Sequence, residues 1–267
     1  MKQRTMRIVM GLSLSLIIAV CAFGQGVYWE SKVTGGPIKD KTDMMYYMPK
    51  MFKMVSSPDD HIMIFRLDKE TMYTLKPKEK TYSEITFAEM EAMMKKGKSK
   101  MDSRMAEMQK KMQSMPEEQR KMMEKYMGDK MPGMGKEAKL DVNKTREKKS
   151  VSGYTCTKYV ITQDGKEFMT LWTTKDVKDF EPMRKDFEAF SQRMSSMNPM
   201  VGKGFMDVFR KVEGFPIETD MSGITTVVTK IEKHSTPAGE FEIPAGYTKV
   251  KSDIQEGMEE MDQEKED

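Results

Sequence analysis

Short segments of alternating apolar and polar residues, cut at close intervals by turn residues, commit most of this chain to antiparallel strands. The sharpest signal lies late in the sequence. Tyr154 to Gln163 and Lys166 to Thr173 flank Asp164-Gly165, a dipeptide suited to a two-residue hairpin turn. A simple register predicts Ile161 opposite Phe168 and Thr157 opposite Trp172, with Val160 beside Met169 on the other face. Near the start, Val27 to Val33 alternates with Val27, Trp29 and Val33 on one face, and Gly35-Gly36-Pro37 ends it. Asp43 to Met48 and Met51 to Ser56 surround Pro49-Lys50, which predicts a tight turn placing Tyr47 opposite Phe52 and Met45 opposite Met54. His61 to Leu67, Thr71 to Leu75 and Lys80 to Glu84 continue the meander, and Ile224 to Ile231 is a β-branched strand.

Two stretches break the pattern with helical spacing. Thr86 and Glu89 form a capping box, with Ile85 and Met90 placed for a hydrophobic staple. Met90, Met94, Met101, Met105, Met108, Met112 and Met115 then make a heptad-like seam within a helical region spanning 86–136. Ser114 and Glu117 around Pro116 predict a second helix running to Met127 and stopping at Gly128. The other helical stretch, Asp179 to Met197, spaces Phe180, Met183, Phe187, Phe190, Met194 and Met197 by three and four. A short helix is predicted through Phe205, Val208, Phe209 and Val212, ended by Gly214.

The ends carry different information. Lys2, Arg4 and Arg7 precede an apolar run from Ile8 to Val20, and Ala22-Phe23-Gly24 gives a small-x-small pattern. This reads as an export signal over residues 1–24 cleaved between Gly24 and Gln25, which places the protein in the periplasm or outside the cell. Lipid anchoring at Cys21 is the less favoured alternative, because branched Val20 precedes the cysteine. Residues 25–250 are then a single β domain with the Met-rich insertion at 86–136. Residues 251–267, where eight acids face two lysines, are expected to be a disordered tail.

Several blocks together resemble a known family: Ile64-Phe65-Arg66-Leu67-Asp68, Tyr73-Thr74-Leu75-Lys76-Pro77 and Lys80-Thr81-Tyr82-Ser83-Glu84, then Gly153 to Tyr159, Leu171 to Val177 and Phe241 to Tyr247. Their order is similar to that in an exported bacterial family of unknown-function domains, the 4412 family, near the LolA/LolB lipoprotein-carrier superfamily. The resemblance covers about 27–84 and 138–250. It implies an α+β fold, a curved antiparallel sheet forming a LolA-like half-open barrel with helices over its concave face. In true carriers that cavity holds acyl chains. The Met-rich insertion departs from a compact carrier.

Composition sharpens what the chain can do. Met contributes 32 residues, nearly a third of the hydrophobic total. A Met seam can be core, an adaptable lid over an apolar cavity, or a soft-metal site. The apolar-ligand candidates are Met101, Met105, Met108, Met112 and Met115, and a Cu(I)- or Ag(I)-binding alternative would use Met105, Met108 and Met112. Between Lys95 and Lys149 seventeen basic residues stand against nine acidic ones, so the segment could also touch an anionic membrane or dock a partner. Export and the scarcity of aromatics there argue against nucleic acid. The only histidines, His61 and His234, sit at predicted strand ends, and Cys156 lies inside a strand. No phosphate loop, zinc spacing or acid pair stands out, so no cofactor is expected. The sequence therefore points to a non-enzymatic binding protein for something apolar, a lipid or lipoprotein chain.

Overall fold

The computed structural model describes residues 24–37, 40–58, 61–119, 139–178, 180–197, 208 and 210–257. It contains β1 (Gly24–Gly35), β2 (Lys41–Met48), β3 (Met51–Ser57), β4 (His61–Arg66), β5 (Thr71–Lys76), β6 (Thr81–Thr86) and α1 (Phe87–Gln113). β7 (Leu140–Val151), β8 (Tyr154–Gln163), β9 (Lys166–Thr174) and α2 (Phe180–Met197) follow. β10 (Phe215–Met221), β11 (Ile224–Thr236), a 3-10 turn (Ala238–Phe241) and β12 (Thr248–Val250) come next. All twelve strands form one open sheet in the order β12-β6-β5-β4-β3-β2-β1-β11-β10-β9-β8-β7. Every pairing is antiparallel except that of β12 with β6.

Hairpin chemistry sets most of the registers. Tyr47 faces Phe52 and Met45 faces Met54, as the Pro49-Lys50 turn predicts, with Lys50 taking a positive φ of 64°. Asp164 and Gly165 turn β8 into β9 with φ of 51° and 80°. The predicted pairs there are off by one residue: Ile161 faces Met169 and Lys158 faces Trp172. The cause is a β-bulge, in which Phe168 is the extra residue between the partners of Ile161 and Thr162. Ser152-Gly153 and Ser222-Gly223 repeat the same pair of positive φ angles at two further hairpins.

α1 starts as its sequence dictates. The Thr86 hydroxyl accepts from the Glu89 amide, the Glu89 carboxylate accepts from the Thr86 amide, and Ile85 and Met90 are buried together. Met93, Met94 and Phe190 of α2 close this cluster. Beyond Met94, no residue of α1 whose burial is described is buried, so among the described side chains the seam joins the core only in its first two turns. A second helical stretch does begin after Pro116, as predicted, but Ser114 is not its cap. Its hydroxyl donates back to the Lys111 carbonyl at 2.8 Å and caps the end of α1, and a helical stretch resumes at 117–119. The rest of that predicted helix, to Met127, lies outside the described residues. Among the described residues no helix is long and apolar enough to cross a membrane.

The core lies on both faces of the sheet. On one, α2 packs over Val27, Tyr47, Phe52, Phe215 and Val228. On the other, the segment after β11 runs back across β3, β4 and β5 as a strap. Phe241 is fully buried there among Met48, Ile64 and Leu75. Lys53 bonds Glu240, while buried Arg66 joins Asp68 and Glu242. The strap ends as β12 on the edge strand β6. The tail, expected to be disordered from 251, begins instead with a capped turn: the Ser252 hydroxyl accepts from the Gln255 amide and the Gln255 side chain accepts from the Ser252 amide.

Candidate functional site

Beneath α2 lies an apolar cavity of roughly 280 Å³. That is nearly twice the ~150 Å³ of an engineered apolar cavity that takes up benzene. Its walls come from seven consecutive strands. Phe65, Phe52, Met45 and Trp29 contribute from β4, β3, β2 and β1; Val228, Phe215, Ile217 and Leu171 contribute from β11, β10 and β9. Phe180, Met183, Phe187 and Phe190 of α2 form the roof.

Aromatic contacts tie roof to floor. Phe180 meets Phe215 edge-on at 5.3 Å, and Phe215 meets Trp29 in the same manner at 5.7 Å. Phe190 meets Phe65 at 4.9 Å, and Phe187 meets Phe52 at 6.4 Å. Phe187 is 41% exposed and stands at the mouth. Gly214, also in the lining, lets the chain entering β10 pass close to the end of β9. Its φ is 85°, and a Cβ there would come within 2.4 Å of the Thr174 carbonyl oxygen.

Two polar latches hold α2 down. The Asp186 carboxylate accepts from the Tyr47 hydroxyl at 2.9 Å and from the Lys50 amide at 2.7 Å, at the β2–β3 turn. Burial, reinforced by that carboxylate, keeps the Tyr47 phenol protonated well above the usual tyrosine range. Near the other end of α2, Arg193 grips Glu70 through both guanidinium nitrogens, at 2.7 and 3.1 Å. Arg184 and Glu188, the charged side chains of the lining, pair with one another.

The cavity offers apolar contact and shape rather than reacting groups. Among the described residues no cluster of His, Cys, Asp or Glu could hold a metal ion. His61 is exposed at the start of β4, and His234 stands 5.9 Å from the rings of Tyr28 and Tyr46. Cys156 is fully buried, and burial raises its thiol pKa.

Of the methionines singled out in the sequence, Met108, Met112 and Met115 do not line this cavity. Met108 is 37% exposed, while Met112 and Met115 are half-buried. The side chains of Met101 and Met105 lie outside those described, so the proposed metal set of Met105, Met108 and Met112 is described only in part. Met90, Met93 and Met94 of the same helix pack into the core. Sequence reasoning placed the right spacing on α2 but gave it no role. Its Phe and Met residues follow the same three-four rhythm as the α1 seam, and only the sheet contacts separate the two. Gly24, the last residue of the predicted 1–24 signal, lies in β1, and the rest of that signal lies outside the described residues.

An open antiparallel sheet roofed by a helix over an apolar cavity defines a class of architecture. The sequence places the chain within a family. It matches the family described as "Domain of unknown function (DUF4412)" over residues 88–247, more than half its length, and the chain belongs to that family. The match runs from the first turn of α1 to the residue before β12, so β1 to β6 precede it. No curated protein matches the chain. Among solved structures it is similar to an uncharacterized conserved protein from Thermus thermophilus. That likeness has 8% identity and a TM-score of 0.42, covering 84% of this chain and 90% of the other. A structure of PNGF-II is also similar, at 9% identity and a TM-score of 0.38, covering 88% of this chain but 32% of that one.

Proposed function

We propose that this protein is an exported, non-enzymatic binding protein that takes an acyl chain, from a lipid or a lipoprotein, into the cavity under α2. The observation that carries this reading is the lining: aromatic and aliphatic side chains from seven adjacent strands and one helix meet around a single apolar space. Laid flat, seven strands would span roughly 29 Å between the outermost axes. Contact with one small cavity supports a sheet curled around α2, as in the half-open barrel of the lipoprotein carriers. Cleavage after Gly24 would keep every β1–β11 pair from Gln25–Ser235 onward.

The experiment is native mass spectrometry of the exported protein, followed by organic extraction. The expected result is a mass starting at Gln25 and a co-purifying acyl compound released by denaturation. Recovery of protein without any apolar ligand, together with no uptake of added fatty acyl compounds, would end the proposal.

A second reading concerns α1. Lys95, Lys96, Arg104, Lys110 and Lys111 are exposed on a helix that leaves the core after Met94. That supports contact with an anionic membrane surface. Co-sedimentation with phosphatidylglycerol vesicles, lost at high salt, is the expected result.

A further inference from the structure

Apart from the Arg184–Glu188 pair of α2, the polar side chains of the cavity wall form one patch of hydroxyl groups on three adjacent strands: Ser31 on β1, Thr226 on β11 and Thr219 on β10. Thr219 and Thr226 are direct partners across β10 and β11. Thr226 also faces Val33, and Ser31 faces Val228, so Ser31 and Thr226 are diagonal neighbours on one face. Direct and diagonal neighbours of this kind lie about 5 Å and 7–8 Å apart, close enough to converge on one group. Nothing in the linear sequence brings these three residues together.

Ser31 is only 6% exposed. Thr219 and Thr226 are half-buried, whereas the fully covered threonines of the sheet have partners: Thr71 donates to the Lys69 carbonyl, Thr173 to the Glu213 carbonyl and Thr174 to Asp176. Among the described residues, Ser31, Thr219 and Thr226 have no side-chain hydrogen bond. A buried hydroxyl left this way costs stability, so its retention in an apolar wall asks for a partner. Each can donate one hydrogen bond and accept others.

The charge around the cavity decides what that partner is. Arg184 is the lining cation, and Glu181 and Glu188 on the same helix both bond it. The three together are net negative. An ionised carboxylate brought to the hydroxyls would lose its water without gaining a free cation. An uncharged carbonyl would lose little and accept from the hydroxyls.

We infer that the cavity selects an acyl chain ending in a neutral hydrogen-bonding group, an ester or amide carbonyl seated on Ser31, Thr219 and Thr226, over a free fatty-acid carboxylate. This rests on the apolar-ligand reading above and narrows it to one chemical class.

The test is displacement of an apolar dye from the full chain by decane, methyl decanoate and decanoate at neutral pH. Ser31→Ala and Thr226→Val are compared with the wild type, and their melting curves report folding. Both substitutions remove the hydroxyl with almost no change of shape, and either one alone tests the inference. Each should weaken methyl decanoate about 2- to 12-fold, the worth of one net hydrogen bond, and leave decane unchanged. Decanoate should bind the wild type more weakly than its ester. Equal losses for decane and ester, or no loss for the ester in either folded variant, would overturn the inference. So would decanoate outcompeting its ester. In each of those cases decane bound by the wild type keeps the cavity reading intact. Failure of all three compounds on the wild type would overturn both.

Discussion

Replacing Asp186 with Ala should loosen α2 from the sheet. In the wild type one carboxylate oxygen accepts from the Tyr47 hydroxyl and the Lys50 amide. The Tyr47 bond is the larger contribution, because hydrogen bonds to charged groups are worth about 1.5–3 kcal/mol. Tyr47 is only 3% exposed, so truncation also leaves its hydroxyl unpaired where water reaches it poorly. The Lys50 amide is exposed, and water replaces much of its bond. Together these give a loss of about 2–3 kcal/mol, or roughly 30- to 150-fold in the equilibrium for opening α2. Native-state hydrogen exchange reads this directly. Amides of α2 should exchange faster by that factor, and Asp186→Asn, which keeps one acceptor oxygen, should fall between. Unchanged exchange through α2 in Asp186→Ala would refute the latch.

Other expectations follow from packing and charge. Phe241→Ala should cost about 3–5 kcal/mol, read by urea unfolding, because the strap would lose its fully buried anchor. Gly165→Val should lower stability by about 1–3 kcal/mol through its φ of 80° alone, since a Cβ there meets open space. An unchanged melting temperature would contradict that turn. Changing Met101, Met105, Met108, Met112 and Met115 together to Ser should leave the main unfolding transition in place, whereas Met90→Ala should cost about 2–5 kcal/mol, because only Met90 of these is described as buried. Arg66 bonds hold Asp68 below the usual carboxylate range, and for Glu242 the pull of Arg66 and Lys69 outweighs the upward push of burial. Their stabilisation is complete above the ordinary carboxylate pKa of about 4 and is lost as pH falls below it toward their lowered folded-state values. Arg66→Met should therefore be less stable at neutral pH yet lose less further stability on acidification, measured as urea midpoints against pH.

Much of the sheet was legible because its instructions are local. The Pro49-Lys50 turn set the Tyr47–Phe52 and Met45–Met54 pairs, and Thr86 with Glu89 fixed the start of α1. The Asp164-Gly165 turn was legible too, but the bulge at Phe168 was not, because no residue pattern marks where a strand takes up an extra residue. The strap was invisible for a different reason. Phe241 meets Met48, Ile64 and Leu75 only across a long stretch of chain. The candidate cavity suffered most. Two helices with the same apolar rhythm compete for one sheet, and the unusual Met content drew attention to α1. The phenylalanines of α2 bring more rigid apolar area to the sheet, and Asp186 and Arg193 add latches that spacing does not reveal. Ser31, Thr219 and Thr226 are ordinary strand residues until the sheet order places them side by side.

Trp29 gives the most direct measurement of the central claim, because it lines the cavity while Trp172 lies beside Lys149 and Lys158, with the Lys149 ammonium 4.4 Å from its ring. In a Trp172→Phe background all tryptophan emission comes from Trp29. Titration of the ligand-stripped protein with methyl decanoate should change that emission saturably, and a second acyl ester should compete for the same change. Binding of the ester, measured independently by calorimetry, with Trp29 emission unmoved would place the ligand elsewhere and contradict the account.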